Sequence, residues 1–362
     1  GTEQQLDFLR EWQQKLWAAG YLGMHWPTKY GGQGADPCYQ NIVDRELARH
    51  KAPIIFNTIG LNWVGPLLLD IGTRAEKAKY LKNILSGEEI WCQGFSEPDH
   101  GSDLGSIQTR AVKDGDSYVV NGSKIWTTLG NYADHMILLA RTNNNTDRKY
   151  DGLSFFLSPM KISGVDAQPI RKMTGEFGFN QIFFSDARIP AESMMGEEGA
   201  GWRIAMKTLE YERGVSAGQA SGHWMVAIQI EDMVKDLSQL THDGAPLLSD
   251  PIVRDDIVGF MIEAKSLALS VRRSAVPALN SDYPMGLALS GKYRSTEYAR
   301  RLKQYTANKQ GARGALYVGD QEAVKGGFWQ RAYFSNFGAT IGGGTTEVQA
   351  NIIAEHILGL PK

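Results

Sequence analysis

Apolar residues recur at three- and four-residue steps through the first part of the chain. Leu6, Leu9, Trp12, Leu16 and Trp17 mark one face of a helix, and residues 41–49 and 74–86 repeat the period. Residues 54–71 form the most apolar stretch, but Asn57, Asn62, Gly65, Pro66 and Asp70 interrupt it, which a bilayer would not tolerate without partners. A buried helix is expected there. The segment Trp26-Pro-Thr-Lys-Tyr-Gly-Gly-Gln-Gly34 crowds turn formers together and predicts an ordered connection between helices.

From Ile90 the period changes. Short runs at 118–121, 136–140, 153–157 and 181–184 are separated by Asp-Gly, Asn-Gly and Ser-Gly turn signals, a spacing that suits a β-barrel or sandwich. After Gly201-Trp202 the helical period returns over 209–235, 252–279, 286–318 and 348–358, with 241–251 read as a polar, solvent-facing loop. The order all-α, all-β, all-α predicts an α+β multidomain fold, with an N-terminal helical domain at 1–89, a central β-domain at 90–197 and a C-terminal helical domain at 198–362.

Composition narrows the function. A length of 362 residues at 42% apolar content supports a sizeable core, and 38 basic against 40 acidic residues leave no positive field for nucleic acid. The cysteines Cys38 and Cys92 lack metal-ligand or disulfide-framework spacing, which fits a reducing compartment and no structural zinc. Residues 2–19 read as a polar amphipathic helix rather than a charged-then-apolar leader, so a cytoplasmic location without a membrane span is expected. The histidines show no metal-ligand spacing and are read as structural, with His100 set apart by its turn.

Three segments carry candidate chemistry. Residues 91–103 combine Gly94, Gly101, Ser96 and Ser102 in a turn whose backbone donors would suit a flat heteroaromatic ring or phosphate oxygens; an ordinary surface turn has the same composition. Gly342-Gly-Gly-Thr-Thr-Glu347 precedes a helix and reads equally as an anion cradle or a helix cap. Glu212 and Arg213 are adjacent on a largely apolar helix, so they point about 100° apart. Either they belong to a solvated face, or Glu212 enters an interior cleft where burial would raise its pKa toward that of a general base.

Taken together, these motifs resemble the acyl-CoA dehydrogenase family over essentially the whole length. The resemblance rests on Trp26-Pro-Thr-Lys-Tyr-Gly-Gly, on Phe95-Ser-Glu-Pro-Asp-His-Gly-Ser-Asp103, on Asn121-Gly-Ser-Lys-Ile-Trp-Thr-Thr128, and on Gly343-Gly-Thr-Thr-Glu-Val-Gln349 with Ile357-Leu-Gly-Leu-Pro361. It implies a C-terminal four-helix bundle and FAD lying between the β-domain and that bundle. Gln93, Phe95 and Ser96 would contact the isoalloxazine, Ser96 near its N5 and O4 edge, and Trp126 and Thr128 would cover the other side. Gly101 and Ser102 would lie near the pyrophosphate and the pantetheine, and Thr345 and Glu347 at the ribityl and phosphate region.

The implied reaction is α,β-dehydrogenation of an acyl-CoA thioester in lipid β-oxidation. A carboxylate takes the α-proton, the β-hydrogen leaves as hydride to flavin, and a backbone N–H with the ribityl 2′-hydroxyl holds the thioester oxygen. The sequence departs from the commonest pattern here. The usual base position is Gly343, which keeps only its backbone N–H, whereas a minority arrangement places the base before an arginine on a helix, as Glu212 stands before Arg213. Arg213 would orient the CoA moiety or support the base, and the freed space would admit a branched, cyclic or steroid-derived acyl group. Segments that reach a neighbouring subunit's FAD in many relatives are missing around 241–254 and 317–327. That loss resembles a bacterial subset that includes steroid side-chain dehydrogenases. The expected partners are an electron-transfer flavoprotein and either further copies of the chain, as a dimer or tetramer, or a related subunit in an α2β2 heterotetramer. Alternative readings are an acyl-CoA oxidase and a non-catalytic or partner-dependent subunit.

Overall fold

Helix α1 (Glu3–Ala18) packs on α4 (Arg74–Ser86) through the predicted apolar stripe, with Leu16 buried; α2 (Pro37–Arg49) and α3 (Gly65–Ile71) lie between them in sequence. The computed structural model describes residues 3–212, 223–274, 276–279 and 284–361. A capping box starts α4: Thr73 Oγ1 accepts from the Glu76 N–H at 3.2 Å, and the Glu76 carboxylate accepts from the Thr73 N–H at 2.6 Å. The stretch expected to be one buried helix is more complex. Ile54 is exposed and non-helical, and a π turn at Gly60–Val64 runs into α3. Gly65 N–H reaches the Gly60 carbonyl five residues back, directly ahead of Pro66, which has no N–H to give a regular turn.

A seven-stranded sheet follows: β1 (Trp91–Gly94), β2 (Arg110–Asp114), β3 (Ser117–Thr128), β4 (His135–Arg141), β5 (Leu153–Pro159), β6 (Val165–Ile170) and β7 (Phe179–Pro190). The strand order is β1-β4-β2-β3-β7-β6, with β5 also paired to β4; β1 runs parallel to β4. The apolar runs foretold β4, β5 and parts of β3 and β7. They missed β2 and β6, whose side chains are mostly exposed or half-buried and which owe their strand form to pairing. The core of the sheet gathers Tyr118, Val120, Met136, Leu138, Phe156, Ile182, Phe184 and Ile189.

Helix α5 (Gly201–Glu212) packs on β5 and α3. A Cβ at Gly201 would lie 2.6 Å from the Ser154 main chain, so only glycine permits this approach. Beyond it come α6 (His223–Leu237), the hairpin β8 (Thr241–His242) and β9 (Ala245–Pro246), α7 (Pro251–Ser274), α8 (Pro284–Asn308), α9 (Phe328–Ile341) and α10 (Thr346–Ile352). The expected polar loop at 241–251 is thus a small hairpin, followed by a turn that buries Leu247 in the helical core. The helical period also failed to reveal α9, whose buried face includes the polar Gln330 and Asn336 beside Trp329. Helices α6 to α9 share a core of Met233, Leu237, Val253, Ile257, Leu267, Tyr298, Leu302 and Trp329. By internal contacts the chain forms two compact units, Gly1–Val43 with Lys51–Glu212, and Asp44–His50 with Arg213–Lys362. No described helix is long and apolar enough to cross a membrane.

Candidate active site

The segment after β1 is held by its own buried carboxylate. Glu97 accepts from the Gln108 N–H at 2.6 Å, the Thr109 N–H at 2.8 Å and Lys124 Nζ at 2.8 Å. Burial by itself would raise the Glu97 pKa, but the Lys124 charge and these hydrogen bonds outweigh it and hold the carboxyl below its ordinary range. Lys124 is fully buried and also donates to the Phe95 carbonyl at 3.1 Å. Burial pushes its ammonium down to about 8 against the pull of Glu97, and the Arg141 charge adds to the depression. The Arg141 guanidinium in turn donates to the Gly105 and Ile107 carbonyls, fixing the next stretch of the same loop, and to the Lys149 carbonyl between β4 and β5.

Around this anchor stand the residues expected to meet the flavin. Phe95 is buried with its ring edge-on to Phe155, and the Ser96 carbonyl accepts from the Ile125 N–H at 2.9 Å. Between Lys124 and Thr127 the β3–β7 register slips, and Trp126 takes φ +59 with its ring 57% exposed and edge-on to Phe179. Thr128, two residues on, is half-buried. Gly101 and Ser102 are exposed, and a Cβ at Gly101 would meet nothing within 4 Å. Their loop is closed by Asp103, which accepts from Lys149 Nζ and Ser106 Oγ, both at 2.6 Å. The backbone of His100 pairs with that of Glu97, so its turn is part of the same construction.

These groups suit a flat polar ring. Gln93 Nε2 is buried without a partner, a donor awaiting an acceptor on the strand that leads into Phe95. A strained, outward-facing Trp126 and an open Gly101 turn lie on the neighbouring segments. The residues present therefore fit the isoalloxazine and phosphate ends of FAD.

Glu212 ends α5 and is half-buried. The last turn of that helix is tied to the end of α3: Tyr211 Oη donates to Asp70 Oδ2 at 2.8 Å, and Lys207 Nζ stands 3.0 Å from the same oxygen. The Tyr211 hydroxyl and then Lys207 hold the Asp70 carboxyl below its usual range, while burial and Asp70 push the Tyr211 phenol up. Arg213 lies outside the described residues.

In the second unit Gly343 has φ +69 and Gly344 φ +92, a left-handed pair that side chains disfavour. The Gly343 carbonyl accepts from Gln349 Nε2 at 2.8 Å, and the Gly344 carbonyl accepts from Lys292 Nζ at 2.5 Å. Thr345 caps α10 by accepting from the Val348 N–H at 3.2 Å, and Glu347 is exposed in the first turn. Thr346 Oγ1 donates to Glu297 at 2.8 Å, so Lys292 and Glu297 of α8 seat the whole loop.

The structure thus joins Gln93, Phe95, Ser96, Gly101, Ser102, Trp126 and Thr128 on adjacent segments of one unit, and Gly343, Thr345 and Glu347 on one loop of the other. Sequence reasoning passed over Glu97, Lys124, Arg141 and Asp70. Lys124 did leave a signal, since the two-residue alternation through Tyr118 and Val120 carries it onto the buried face of β3.

Family models cover the chain in order: the acyl-CoA dehydrogenase N-terminal domain at residues 2–88, the middle domain at 92–187 and the C-terminal domain at 199–358. Acyl-CoA dehydrogenase IpdE1 of Mycolicibacterium smegmatis is 35% identical, across 98% of this chain and 88% of that relative. The solved structure titled Tcur3481-Tcur3483 steroid ACAD superposes with a TM-score of 0.86 at 31% identity, over 98% of this chain and 89% of that one. The ChsE4-ChsE5 complex from Mycobacterium tuberculosis gives 0.83 at 31% identity, over 98% and 90%. With three domain models matched in order and relatives above 30% identity along nearly its full length, the chain belongs to the acyl-CoA dehydrogenase family of FAD-dependent oxidoreductases.

Proposed function

We propose that this chain dehydrogenates the α,β bond of a bulky acyl-CoA thioester, branched, cyclic or steroid-derived, with Glu212 as the base. The observation that carries the reading is the clamped end of α5, where Tyr211 and Lys207 are tied to Asp70 and the half-buried Glu212 carboxylate ends the helix, while position 343, the usual place of the base, is glycine in the sequence. A thioester α-proton is far too weakly acidic for a carboxylate in open water, so the site must stabilise the developing oxyanion and exclude solvent. The Gly343 N–H is the donor assigned to the thioester oxygen, and Glu212 takes the α-proton. Bound FAD would supply the hydride acceptor for the β-hydrogen.

On this reading Gln93, Phe95 and Ser96 orient one side of the ring and Trp126 and Thr128 cover the other. Gly101 and Ser102 approach the pyrophosphate and pantetheine, Thr345 and Glu347 the ribityl and phosphate region, and Arg213 the CoA moiety. Domain limits of 1–89, 90–197 and 198–362 go with this assignment. The steroid-type substrate is supported by the likeness to the Tcur3481-Tcur3483 steroid ACAD; that protein and the ChsE4-ChsE5 complex each pair two components, so a related second subunit is part of the proposal, with an electron-transfer flavoprotein as acceptor.

The test is anaerobic titration of the purified yellow protein with straight, branched and steroid-derived acyl-CoAs, following the flavin band near ~450 nm. Bleaching is expected with bulky acyl groups. Glu212→Gln should retain flavin and lower kcat by roughly 10²–10⁴. Near-normal turnover in that variant would overturn the assignment.

A further inference from the structure

We propose that Glu97 and Lys124 form a buried positioning pair that sets the separation of the two flavin-contacting segments and makes FAD binding depend on the charge state of Lys124. The inference rests on the reading that these segments hold flavin. The geometry is specific. Lys124 Nζ ties the Phe95 carbonyl and the Glu97 carboxylate to β3, and the next residue, Ile125, donates its N–H to the Ser96 carbonyl. Lys124 is also the last residue in register with β7 before the slip that turns Trp126 outward. The Lys124 side chain thus fixes Phe95 and Glu97 on one segment, and the backbone of its neighbour Ile125 fixes Ser96, at the origin of the Trp126 bulge on the other.

Glu97 extends the tie to a third segment through the Gln108 and Thr109 N–H groups. An apolar pair could fill this volume, and a buried ion pair is a poor source of net stability. What an ion pair adds is a defined distance and a charge. The charged groups acting on Lys124 are Glu97 from the loop and Arg141 from β4. Arg141 donates to three carbonyls, so Lys124 is the Glu97 carboxylate's principal cationic partner among the described residues. With its ammonium brought down to about 8, Lys124 loses its charge in a pH range where neither Glu97 nor the Arg141 guanidinium changes state.

The experiment uses the purified full chain with FAD. The dissociation constant for FAD and the position of the flavin band are followed from about pH 6 to 10, for the unmodified protein, Glu97→Gln, Lys124→Arg and Lys124→Met. The unmodified protein should show weaker FAD binding and a band shift through an alkaline step near pH 8. Glu97→Gln removes the group that holds the proton on Lys124, so the step should move to lower pH. Lys124→Arg should abolish the step, because a guanidinium does not titrate there. Lys124→Met leaves the buried Glu97 carboxylate without its cationic partner and should weaken FAD about a hundredfold or more.

Circular dichroism of each apo-protein separates loss of FAD from loss of fold, and the Glu97→Gln shift decides the matter if Lys124→Met does not fold. A yellow protein with no alkaline step, or a step that Glu97→Gln leaves in place, overturns the positioning pair while the flavin assignment stands. An unmodified protein that remains colourless at saturating FAD overturns both.

Discussion

Asn57 is the polar pin between the helical layer and the strand that leads into the site. Its Nδ2 donates to the Ile84 carbonyl at 3.1 Å and the Glu89 carbonyl at 2.8 Å, and its Oδ1 accepts from the Trp91 N–H at 3.0 Å. Its own N–H donates to Gln13 Oε1 at 3.1 Å, and Gln13 Nε2 also reaches the Ile84 carbonyl, at 3.0 Å. Replacing Asn57 by alanine therefore orphans two backbone groups, the Glu89 carbonyl and the Trp91 N–H, while the Ile84 carbonyl keeps Gln13. Each orphan in a buried setting costs about 1–3 kcal/mol, so Asn57→Ala should lose roughly 2–6 kcal/mol. For a unit of this size that is a fall in Tm of about 4–24 °C at about 2–4 °C per kcal/mol.

The assay is thermal and urea unfolding of the apo-protein, followed by tryptophan fluorescence because Trp91 lies at the pin. Asn57→Asp is the informative companion. Its carboxylate would face two carbonyls, so its pKa would be raised in the folded state, and its stability should recover as pH falls through that raised value. A loss below about 1 kcal/mol for Asn57→Ala, or no pH dependence in Asn57→Asp, would refute the reasoning.

Acid should release the flavin loop. Glu97 has a folded pKa below the ordinary 4.5, so its contribution is fully present above 4.5 and is lost as pH falls from there through the folded value; FAD release measured against pH should follow that window and disappear in Glu97→Gln. Tyr211→Phe removes the 2.8 Å hydrogen bond to Asp70 that steadies the end of α5. It should lower kcat several-fold, less than the full worth of a hydrogen bond to a charged group because the pair is exposed to water, with KM and FAD affinity little changed; steady-state kinetics beside a flavin titration decide this.

Much of the fold was legible in local pattern. The three- and four-residue period of Leu6 to Trp17 placed α1, and the apolar runs at 136–140 and 153–157 placed β4 and β5, because those segments bury one side or both and must be apolar there. The candidate site residues were singled out for another reason: the motifs at 91–103, 121–128 and 343–349 are contiguous strings of unusual composition. Strands β2 and β6 escaped because they bury little and are ordered by neighbours far off in sequence. Helix α9 escaped because its inner face uses Gln330 and Asn336, which hydrogen-bond Gln310, Lys303 and the Thr296 carbonyl rather than packing as apolar side chains.

By itself the sequence determined the α-β-α order, the absence of a side chain at position 343 and the presence of a carboxylate at 212. Only the tertiary structure decided that Lys124 is buried against Glu97, that Trp126 is turned out by a register slip, and that Asp70 holds the helix turn beside Glu212. The physical reason is range. Periodicity and turn chemistry report what a residue does within a few neighbours. The buried pair Lys124 and Glu97 stands 27 residues apart in sequence, and the exposed pair Tyr211 and Asp70 stands 141 apart, and nothing short of the folded chain brings them together.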